Sequence, residues 1–250
     1  MGERGDLWHR SLIDPTFLRV VGSVRGRRVL DLGCGNGYLT RQWAREGARS
    51  SVGVDSARTS LKLARAREKA RPTGARFLCR DSSKLVGIPD GSVDLVASNM
   101  ALMDIADAEG TIKEVARVLA PNGHFVFSIS HPCFDLNDRS MWVVERRPYE
   151  ERVWRKISRY REERSSEVPW KISETEMAYT TSFHRTLATY VRYLRTAGLA
   201  VVRIEEPSPR PEVVRKSNQG RFLLEVPLHI VFDAVQLDLQ ARTRTGRARR

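Results

Sequence analysis

The chain has few cysteines for its length, with only Cys34, Cys79 and Cys133 among 250 residues. Their number is odd, and no two of them stand in a Cys-x-x-Cys spacing. The sequence therefore lacks the pattern of a disulfide framework and the pattern of a zinc site. We expect reduced thiols and no metal ion.

Long apolar segments are also missing. No run approaches the about 20 consecutive apolar residues that a membrane-spanning helix needs, and the opening stretch MGERGDLWHR has no apolar core of the signal-peptide type. With 41% hydrophobic and 29% charged residues, the composition is typical of a globular protein that folds in water. We expect a single domain over residues 1–240, located in the cytoplasm and away from membranes, and we leave a homo-oligomer open.

Acidic residues are outnumbered, 30 against 43 Lys and Arg, which gives a net charge of +13. Much of the excess lies in two segments: residues 139–171 hold ten Arg or Lys and six Glu, and residues 241–250 hold five Arg and no acid. A short basic tail of this kind is more often disordered and solvated than a binding arm. Nucleic acid is therefore an alternative partner and not the expected one.

Short apolar runs alternate with amphipathic stretches in the first half of the chain. This pattern predicts an N-terminal helical cover within residues 1–25, and then helices at 38–46, 57–70 and 112–119 between strands at 28–32, 51–54, 76–79, 93–97 and 124–129. Strands that alternate with helices predict an α/β fold with a mostly parallel, doubly wound sheet.

The alternation breaks at residues 135–183, a stretch rich in charge and in aromatic residues such as Trp142 and Trp154. Regularity returns with a predicted helix over 183–198 and strands over 200–204 and 222–232. We interpret residues 135–183 as an insertion in the α/β domain.

A cluster of glycines follows the first strand, in the segment Asp31-Leu32-Gly33-Cys34-Gly35-Asn36-Gly37. The third glycine comes one place too early for the Gly-x-Gly-x-x-Gly of dinucleotide-binding dehydrogenases, and Tyr38 stands where that glycine would be. An acid two residues before the first glycine is a second departure from that pattern. The Asp31 carboxylate can position the loop or a ligand ammonium, so both features point away from a pyrophosphate ligand.

The segment VLDLGCGNGYLT resembles the first motif of class I S-adenosylmethionine-dependent methyltransferases, in particular those that act on small molecules. The resemblance runs from Arg28 to Ser130 and continues more loosely through the last helix and strands. It implies a Rossmann-like, seven-stranded sheet with the insertion after strand five. It also implies S-adenosylmethionine as the cofactor and S-adenosylhomocysteine as the product.

The same resemblance implies which residues hold the cofactor. The methionine and ribose parts would lie on Asp31, Gly33, Cys34, Gly35 and Gly37. The ribose hydroxyls would bind Asp55, with Ser56 beside it, although Asp55 can also cap the following helix. The remaining contacts implied are Asp81 and Ser82 to the adenine, Asn99 and Met100 near the sulfonium, and Trp8 as an N-terminal cover whose alternative place is the core.

Methyl transfer from a sulfonium depends mainly on alignment and on exclusion of water. A general base is needed only if the acceptor arrives as a protonated amine or as a hydroxyl, and histidine is the usual choice. His131 follows strand five at the carboxyl edge of the sheet, and His184 is predicted to begin the helix after the insertion. Both are candidate bases, with bracing or capping of a loop as the alternative. Asp104 is interpreted as a loop acid, with binding of a basic acceptor as the alternative.

The resemblance thus implies methyl transfer from S-adenosylmethionine to N or O of a small metabolite. It also implies that residues 135–183 form an acceptor-binding lid, and a purely structural insertion with its tryptophans packed inside is the alternative. The Asn-Pro-Pro-Tyr/Phe tetrapeptide of many amino-directed nucleic-acid and protein methyltransferases is missing, because residues 99–102 read Asn-Met-Ala-Leu. Two alternatives stay open: an RNA methyltransferase that uses the basic insertion and tail, and a non-catalytic cofactor-binding sensor or partner subunit.

Overall fold

The computed structural model describes residues 8–171, 177–216 and 218–237. The predicted basic tail at 241–250, and the first seven residues of the predicted helical cover, lie outside the described residues. The described chain begins with a π-helical turn, His9–Ile13, that leads into helix α1, Asp14–Val21, with Pro15 in its first turn.

The predicted alternation is present in the first half of the chain. The elements after α1 are β1 (Arg28–Leu32), α2 (Tyr38–Arg45), β2 (Ser50–Asp55), α3 (Arg58–Ala70), β3 (Arg76–Cys79), β4 (Val93–Asn99), α4 (Ala108–Val118) and β5 (Leu119–Ser130). Helix α3 buries Leu61 and Ala64 as its spacing predicts, but Leu63 stays half exposed.

The second half holds the insertion and the end of the sheet. Its elements are β6 (Ser140–Arg147), β7 (Glu150–Ile157), β8 (Arg164–Lys171), β9 (Met177–His184), α5 (Leu187–Thr196), β10 (Leu199–Glu205), α6 (Pro211–Lys216), α7 (Asn218–Phe222) and β11 (His229–Gln236). The insertion consists of two antiparallel hairpins, β6–β7 and β8–β9, that pair within themselves and not with the main sheet.

Two sequence predictions in this half are wrong. His184 ends strand β9 and does not begin the following helix, which starts at Leu187. The predicted strand at 222–232 is also wrong. Residue 222 ends a helix, a turn follows, and the strand begins only at His229, because the apolar residues of this segment pack partly on the insertion and partly in the main sheet. Phe222 packs on Trp142 of the insertion, and the strand proper begins after Pro227.

The described strands of the main sheet number seven, in the order β3-β2-β1-β4-β5-β11-β10, which confirms the predicted Rossmann-like sheet. Strands β1 to β5 are parallel, and β11 runs antiparallel to both of its neighbours. The strand order reverses between β1 and β4, and open α/β sheets bind ligands beside such a point, outside the carboxyl ends of the strands.

The core lies on both faces of this sheet. On one face the rings of Phe125, Phe127 and Phe232 stack at 4.8 and 4.9 Å under α4 and α5. On the other face Phe17 of α1 and Trp43 of α2 are fully buried. Each such side chain contributes about 1.5 to 3 kcal/mol when it leaves water, so the sheet is a rigid platform for its carboxyl edge. No helix in the described ranges is long and apolar enough to cross a membrane.

Candidate active site

A cavity of about 1520 Å³ lies at the carboxyl edge of the sheet, beside the point where the strand order reverses. One part of its lining, which we call the glycine-loop wall, comprises Gly33, Cys34, Gly35, Asn36, Asp55, Ser56, Asp81 and Ser82. The part that we call the insertion wall comprises Met103, Asp104, Ile105, Trp142, Arg155, Thr180, Leu228 and His229. The two walls belong to one continuous space.

Two glycines of the glycine-loop wall are required for different reasons. Gly33 has φ +68°, and a Cβ atom there would lie 2.3 Å from the Cβ of Ala101, so this position needs glycine for close packing of β1 against the end of β4. Gly35 also has a positive φ, +53°, but a Cβ atom there would meet nothing within 4 Å. Bare backbone at Gly35 therefore faces the cavity, where a ligand can approach it closely.

Asp55 ties the glycine loop to the start of α3. Its Oδ2 accepts a hydrogen bond of 2.7 Å from the Gly35 amide, and its Oδ1 accepts one of 2.7 Å from the Ala57 amide. Asp55 is not the N-cap of α3, which is Ala57, but its Oδ1 holds the turn that leads into the helix. The carboxylate also lines the cavity beside Ser56, and each carboxylate oxygen has a second lone pair for a ligand hydroxyl.

Asp81 and Ser82 occupy the next strand end. The Oδ1 of Asp81 accepts hydrogen bonds of 2.9 Å from the amide and from the hydroxyl of Ser83, and these bonds hold the pKa of Asp81 below its usual range. Ser82 is buried and shares a hydrogen bond with Thr111. The Asp81 carboxylate is consequently fixed and ionised at the mouth of the cavity, where it can accept a hydrogen bond from a ligand.

Asp31 and Gly37 lie behind the glycine-loop wall and do not line the cavity. Burial raises the pKa of Asp31 to about 7, and its carboxyl accepts a 2.6 Å hydrogen bond from Thr40 on α2. A Cβ atom at Gly37 would lie 2.4 Å from the ring of Phe77. Both residues therefore shape the loop from beneath the cavity lining, where the resemblance implied that they contact the ligand directly.

A buried polar network joins the N-terminal turn to the sheet edge. The hydroxyl of Tyr38 donates to Asp14 at 3.0 Å, and the Asn99 carboxamide donates to Asp14 at 2.8 Å while it accepts from Ser128 at 2.6 Å. The next residue, Met100, has φ +54°, a strained conformation for a side chain of this kind, and its amide donates to Ser128. The network fixes Asn99 and Met100 on the cavity lining between the two walls.

The N-terminal turn covers the cavity from the side. Trp8 and His9 both line it, and His9 meets the ring of Tyr38 edge-on with ring centroids 6.4 Å apart. Trp8 is 37% exposed, so it does not take the core position that the sequence offered as an alternative.

The structure corrects the prediction that His131 faces the acceptor. Its ring is buried outside the cavity, where Nδ1 accepts from the Cys133 amide at 3.2 Å and Nε2 donates to Glu206 at 3.1 Å. Burial lowers the pKa of His131, with Glu206 acting in the opposite direction. The ring therefore braces the loop after β5 against the end of β10, which is the structural alternative.

His184 is likewise absent from the cavity lining. Its Nε2 donates to the carbonyl of Tyr160 at 2.7 Å, and its ring meets the Tyr160 ring edge-on. It faces a separate space of about 20 Å³, room for about one water molecule, which it shares with Asp135 and Ser182. His184 thus joins the two hairpins of the insertion and is in no position to contact an acceptor in the cavity.

Asp104, which the sequence analysis interpreted as a loop acid, lines the insertion wall. It ends a single 3₁₀ turn, Leu102–Asp104, and burial raises its pKa to about 6, with a hydrogen bond from Ser182 acting in the opposite direction. Arg185 holds the following loop by donating to the carbonyls of Ile105 and Ala106 at 2.8 Å each. A carboxyl with a pKa near neutrality, held in a cavity, is suited to accept a proton.

His229 is a cavity residue that the sequence analysis missed. It begins β11 opposite Ser130, so the antiparallel strand brings its first residue to the ligand edge. Burial lowers its pKa to about 4, and its Nδ1 is enclosed with no hydrogen-bond partner in the described part of the chain. The neutral ring carries one N–H donor and one acceptor nitrogen. His229 can thus donate to a ligand at physiological pH.

Arg155 and Trp142 close the insertion wall from the β6–β7 hairpin. The guanidinium of Arg155 lies over the Trp142 ring at 5.0 Å from its centroid, and both side chains line the cavity. No sequence motif marks these two residues. The only signal was the interleaving of aromatic and basic residues in the insertion.

Known proteins resemble this chain in sequence and in fold. A methyltransferase domain family matches residues 30–127. The chain is 29% identical to an S-adenosylmethionine-dependent methyltransferase from Mesorhizobium loti of known crystal structure, with a TM-score of 0.72 over 93% of this chain and 99% of that one.

Two curated relatives match less than half of this chain. A malonyl-[acyl-carrier protein] O-methyltransferase of Halorhodospira halophila is 40% identical over 112 residues, which is 44% of this chain and 37% of that protein. A ubiquinone biosynthesis O-methyltransferase of Bordetella avium is 32% identical over 109 residues, 44% of this chain and 45% of that protein. The matches span less than half of either relative. Together with the fold, the match of residues 30–127 to a methyltransferase domain family and the similarity to the M. loti structure, they support a class I S-adenosylmethionine-dependent methyltransferase.

Proposed function

We propose that this chain transfers the methyl group of S-adenosylmethionine to an oxygen or nitrogen atom of a small metabolite. The observation that carries the proposal is the single cavity of about 1520 Å³ with two chemically different walls. One drug-sized ligand fills a pocket of about 300 to 1,000 Å³. The cavity is therefore large enough for a cofactor and an acceptor side by side.

The glycine-loop wall fits the cofactor. Open backbone at Gly35 accepts the close approach of a ligand, because a Cβ atom there would point into free space. Asp55 would hold the ribose hydroxyls, and Asp81 with Ser82 would hold the adenine. Bound S-adenosylmethionine would supply an electrophilic methyl group on a sulfonium. Asn99 and Met100, fixed by the Asp14 network, would contact the cofactor where the two walls meet.

The insertion wall would bind the acceptor. It combines apolar side chains, among them Trp142 and Leu228, with a few polar ones, as small-molecule sites do. The curated relatives named above are O-methyltransferases, which supports oxygen as the methylated atom without excluding nitrogen. The hairpins cover this wall and exclude water, and His229 donates a hydrogen bond that orients the acceptor.

Asp104 is the group we propose to take the proton from an acceptor hydroxyl or amine. It lines the cavity, its pKa is raised to about 6, and Ser182 orients it by a hydrogen bond. This assignment replaces His131, whose two ring nitrogens are engaged outside the cavity, and His184, whose Nε2 is bonded to Tyr160 and whose ring does not line the cavity.

Ion pairs in the insertion favour a small acceptor over RNA. Seven of the ten cations in residues 139–171 pair with carboxylates: Arg139, Arg146, Arg147, Arg152, Arg155, Arg159 and Arg164. A nucleic-acid site needs cations that are free to neutralise phosphates. The positive charge of the described part of the insertion is therefore largely balanced within the protein.

Calorimetric titration with S-adenosylhomocysteine tests the cofactor half of the proposal. We expect saturable binding by the wild type and about ten- to hundredfold weaker binding by Asp55→Ala, because charged hydrogen bonds to the ribose are lost. The matched control is Glu46→Ala, an exposed acid at the end of α2 that accepts a hydrogen bond from Gln42 and is not part of the cavity lining. Absence of binding by the wild type would refute the proposed function.

A further inference from the structure

Arg155 is an enclosed cation whose hydrogen bonds leave part of its guanidinium unused. Its side chain is only 8% exposed. Its Nε donates to the carbonyl of Phe134 at 2.7 Å, and its Nη2 donates to Ser140 at 2.6 Å. Within the described ranges, Nη1 makes no hydrogen bond. Two N–H groups of a cation that lines the cavity are therefore available to a ligand.

The charge of Arg155 is only loosely balanced by the protein. The nearest carboxylate, Asp135, lies 3.4 Å from Nη2. Burial lowers the pKa of Arg155 and raises that of Asp135, so both ionised groups are incompletely solvated. An additional anion at Nη1 would gain a charge-assisted hydrogen bond in a partly enclosed site, where such bonds are strongest.

The side chain is also held in place for this contact. The bonds to Phe134 and Ser140 fix the guanidinium from two directions, and the Trp142 ring supports its face. With Nε and Nη2 engaged, the two diverging N–H groups of Nη1 can each donate one charge-assisted hydrogen bond to a carboxylate oxygen. A phosphate would call for more positive charge, and Arg155 is the only Lys or Arg among the described residues of the insertion wall.

We propose that Arg155 binds a carboxylate of the methyl acceptor, so that the acceptor is a small, mainly apolar acid. The inference rests on the function proposed above, because it concerns the acceptor half of the same cavity. Asp104, on the same wall, repels an anion. The carboxylate of the acceptor therefore lies at Arg155, and the atom that receives the methyl group lies toward Asp104.

The test uses matched pairs of probes on protein saturated with S-adenosylhomocysteine. The probes are hydroxyphenyl carboxylic acids in which the chain between the ring and the carboxylate lengthens, from 4-hydroxybenzoate to 4-(4-hydroxyphenyl)butanoate. The affinity of each acid is compared with that of its primary amide by calorimetry. We expect the acid that fits best to bind about ten- to hundredfold more tightly than its amide. Arg155→Gln should remove this preference, and Arg155→Lys should restore part of it.

Arg152→Gln is the matched control, since Arg152 lies on the same strand but is half exposed and pairs with Glu150. It should keep the full preference for acids. The inference is overturned if no acid binds the wild type more tightly than its amide, or if Arg155→Gln keeps the preference. Failure of S-adenosylhomocysteine itself to bind would instead refute the proposed function, so the two failures are distinguishable.

Discussion

The two walls of the cavity are built in different ways. The glycine-loop wall comes mainly from short segments that directly follow β1, β2 and β3, and its backbone atoms are as important as its side chains. The insertion wall is assembled from residues far apart in sequence, such as Asp104, Arg155 and His229. A site built from consecutive residues, like the glycine-loop wall, leaves a local motif in the sequence. A site assembled from distant residues, like the insertion wall, leaves none.

The largest expected effect concerns the insertion wall. Asp104→Asn should lower the rate of methyl transfer by about 10²- to 10⁴-fold, the usual contribution of a general base, and should leave S-adenosylhomocysteine binding unchanged. Because the base must be ionised, the rate of the wild type should rise with pH through about 6. Release of S-adenosylhomocysteine in the presence of acceptor measures both effects.

A second variant controls for a merely structural role of Asp104. The hydrogen bond from Ser182 holds the pKa of Asp104 down, so Ser182→Ala should move the rising limb of the pH profile to higher pH while the maximal rate is kept. An unchanged pH profile in Ser182→Ala, or a fully active Asp104→Asn, would remove Asp104 from the mechanism.

The glycine-loop wall predicts a contrast between two similar substitutions. Gly33→Ala should destabilise the fold, because a positive φ costs about 1 to 2 kcal/mol and the new methyl would lie 2.3 Å from the Cβ of Ala101. Gly35→Ala has the strain but no clash. It should therefore melt closer to the wild type and lose affinity for S-adenosylhomocysteine.

Thermal unfolding and calorimetry on the two glycine variants separate these effects. At this chain length each kcal/mol shifts the melting temperature by about 2 to 4 °C. Equal melting temperatures, or full cofactor affinity in Gly35→Ala, would show that Gly35 is not a contact of the ligand.

The smallest effect is expected at the two histidines that the sequence favoured. His131→Ala should cost about 1 to 3 kcal/mol of stability, because it removes the link between the loop after β5 and Glu206. His184→Ala should likewise weaken the contact between the hairpins. Chemical denaturation gives the stability. A large loss of turnover without a loss of stability would return the base to one of these histidines.

The sequence predicted most of the sheet and most residues of the glycine-loop wall. Strand and helix periodicity, together with one dense motif, placed Gly33, Gly35, Asp55 and Asp81 at successive strand ends, and the structure brings all four to the cavity. Asp31 is placed behind the lining, with its carboxyl bonded to Thr40, because a motif does not distinguish a side chain that braces the loop from one that contacts the ligand.

The insertion wall was beyond prediction for a different reason. His131 was chosen for its place at a strand end, but a side chain there can turn to either side, and Glu206 holds it outside the cavity. His229 was hidden because its strand was predicted to begin at 222, which obscured its position as the first residue of an antiparallel strand. Such tertiary contacts have no signature in local spacing.

A crystal structure of the complex with S-adenosylhomocysteine tests the central claim most directly. We expect the ribose on Asp55, the adenine near Asp81, and the sulfur beside Met100, facing the part of the cavity that holds Asp104, Arg155 and His229. A ligand bound elsewhere, or a sulfur atom that faces away from the insertion wall, would contradict the account of one cavity in which cofactor and acceptor meet.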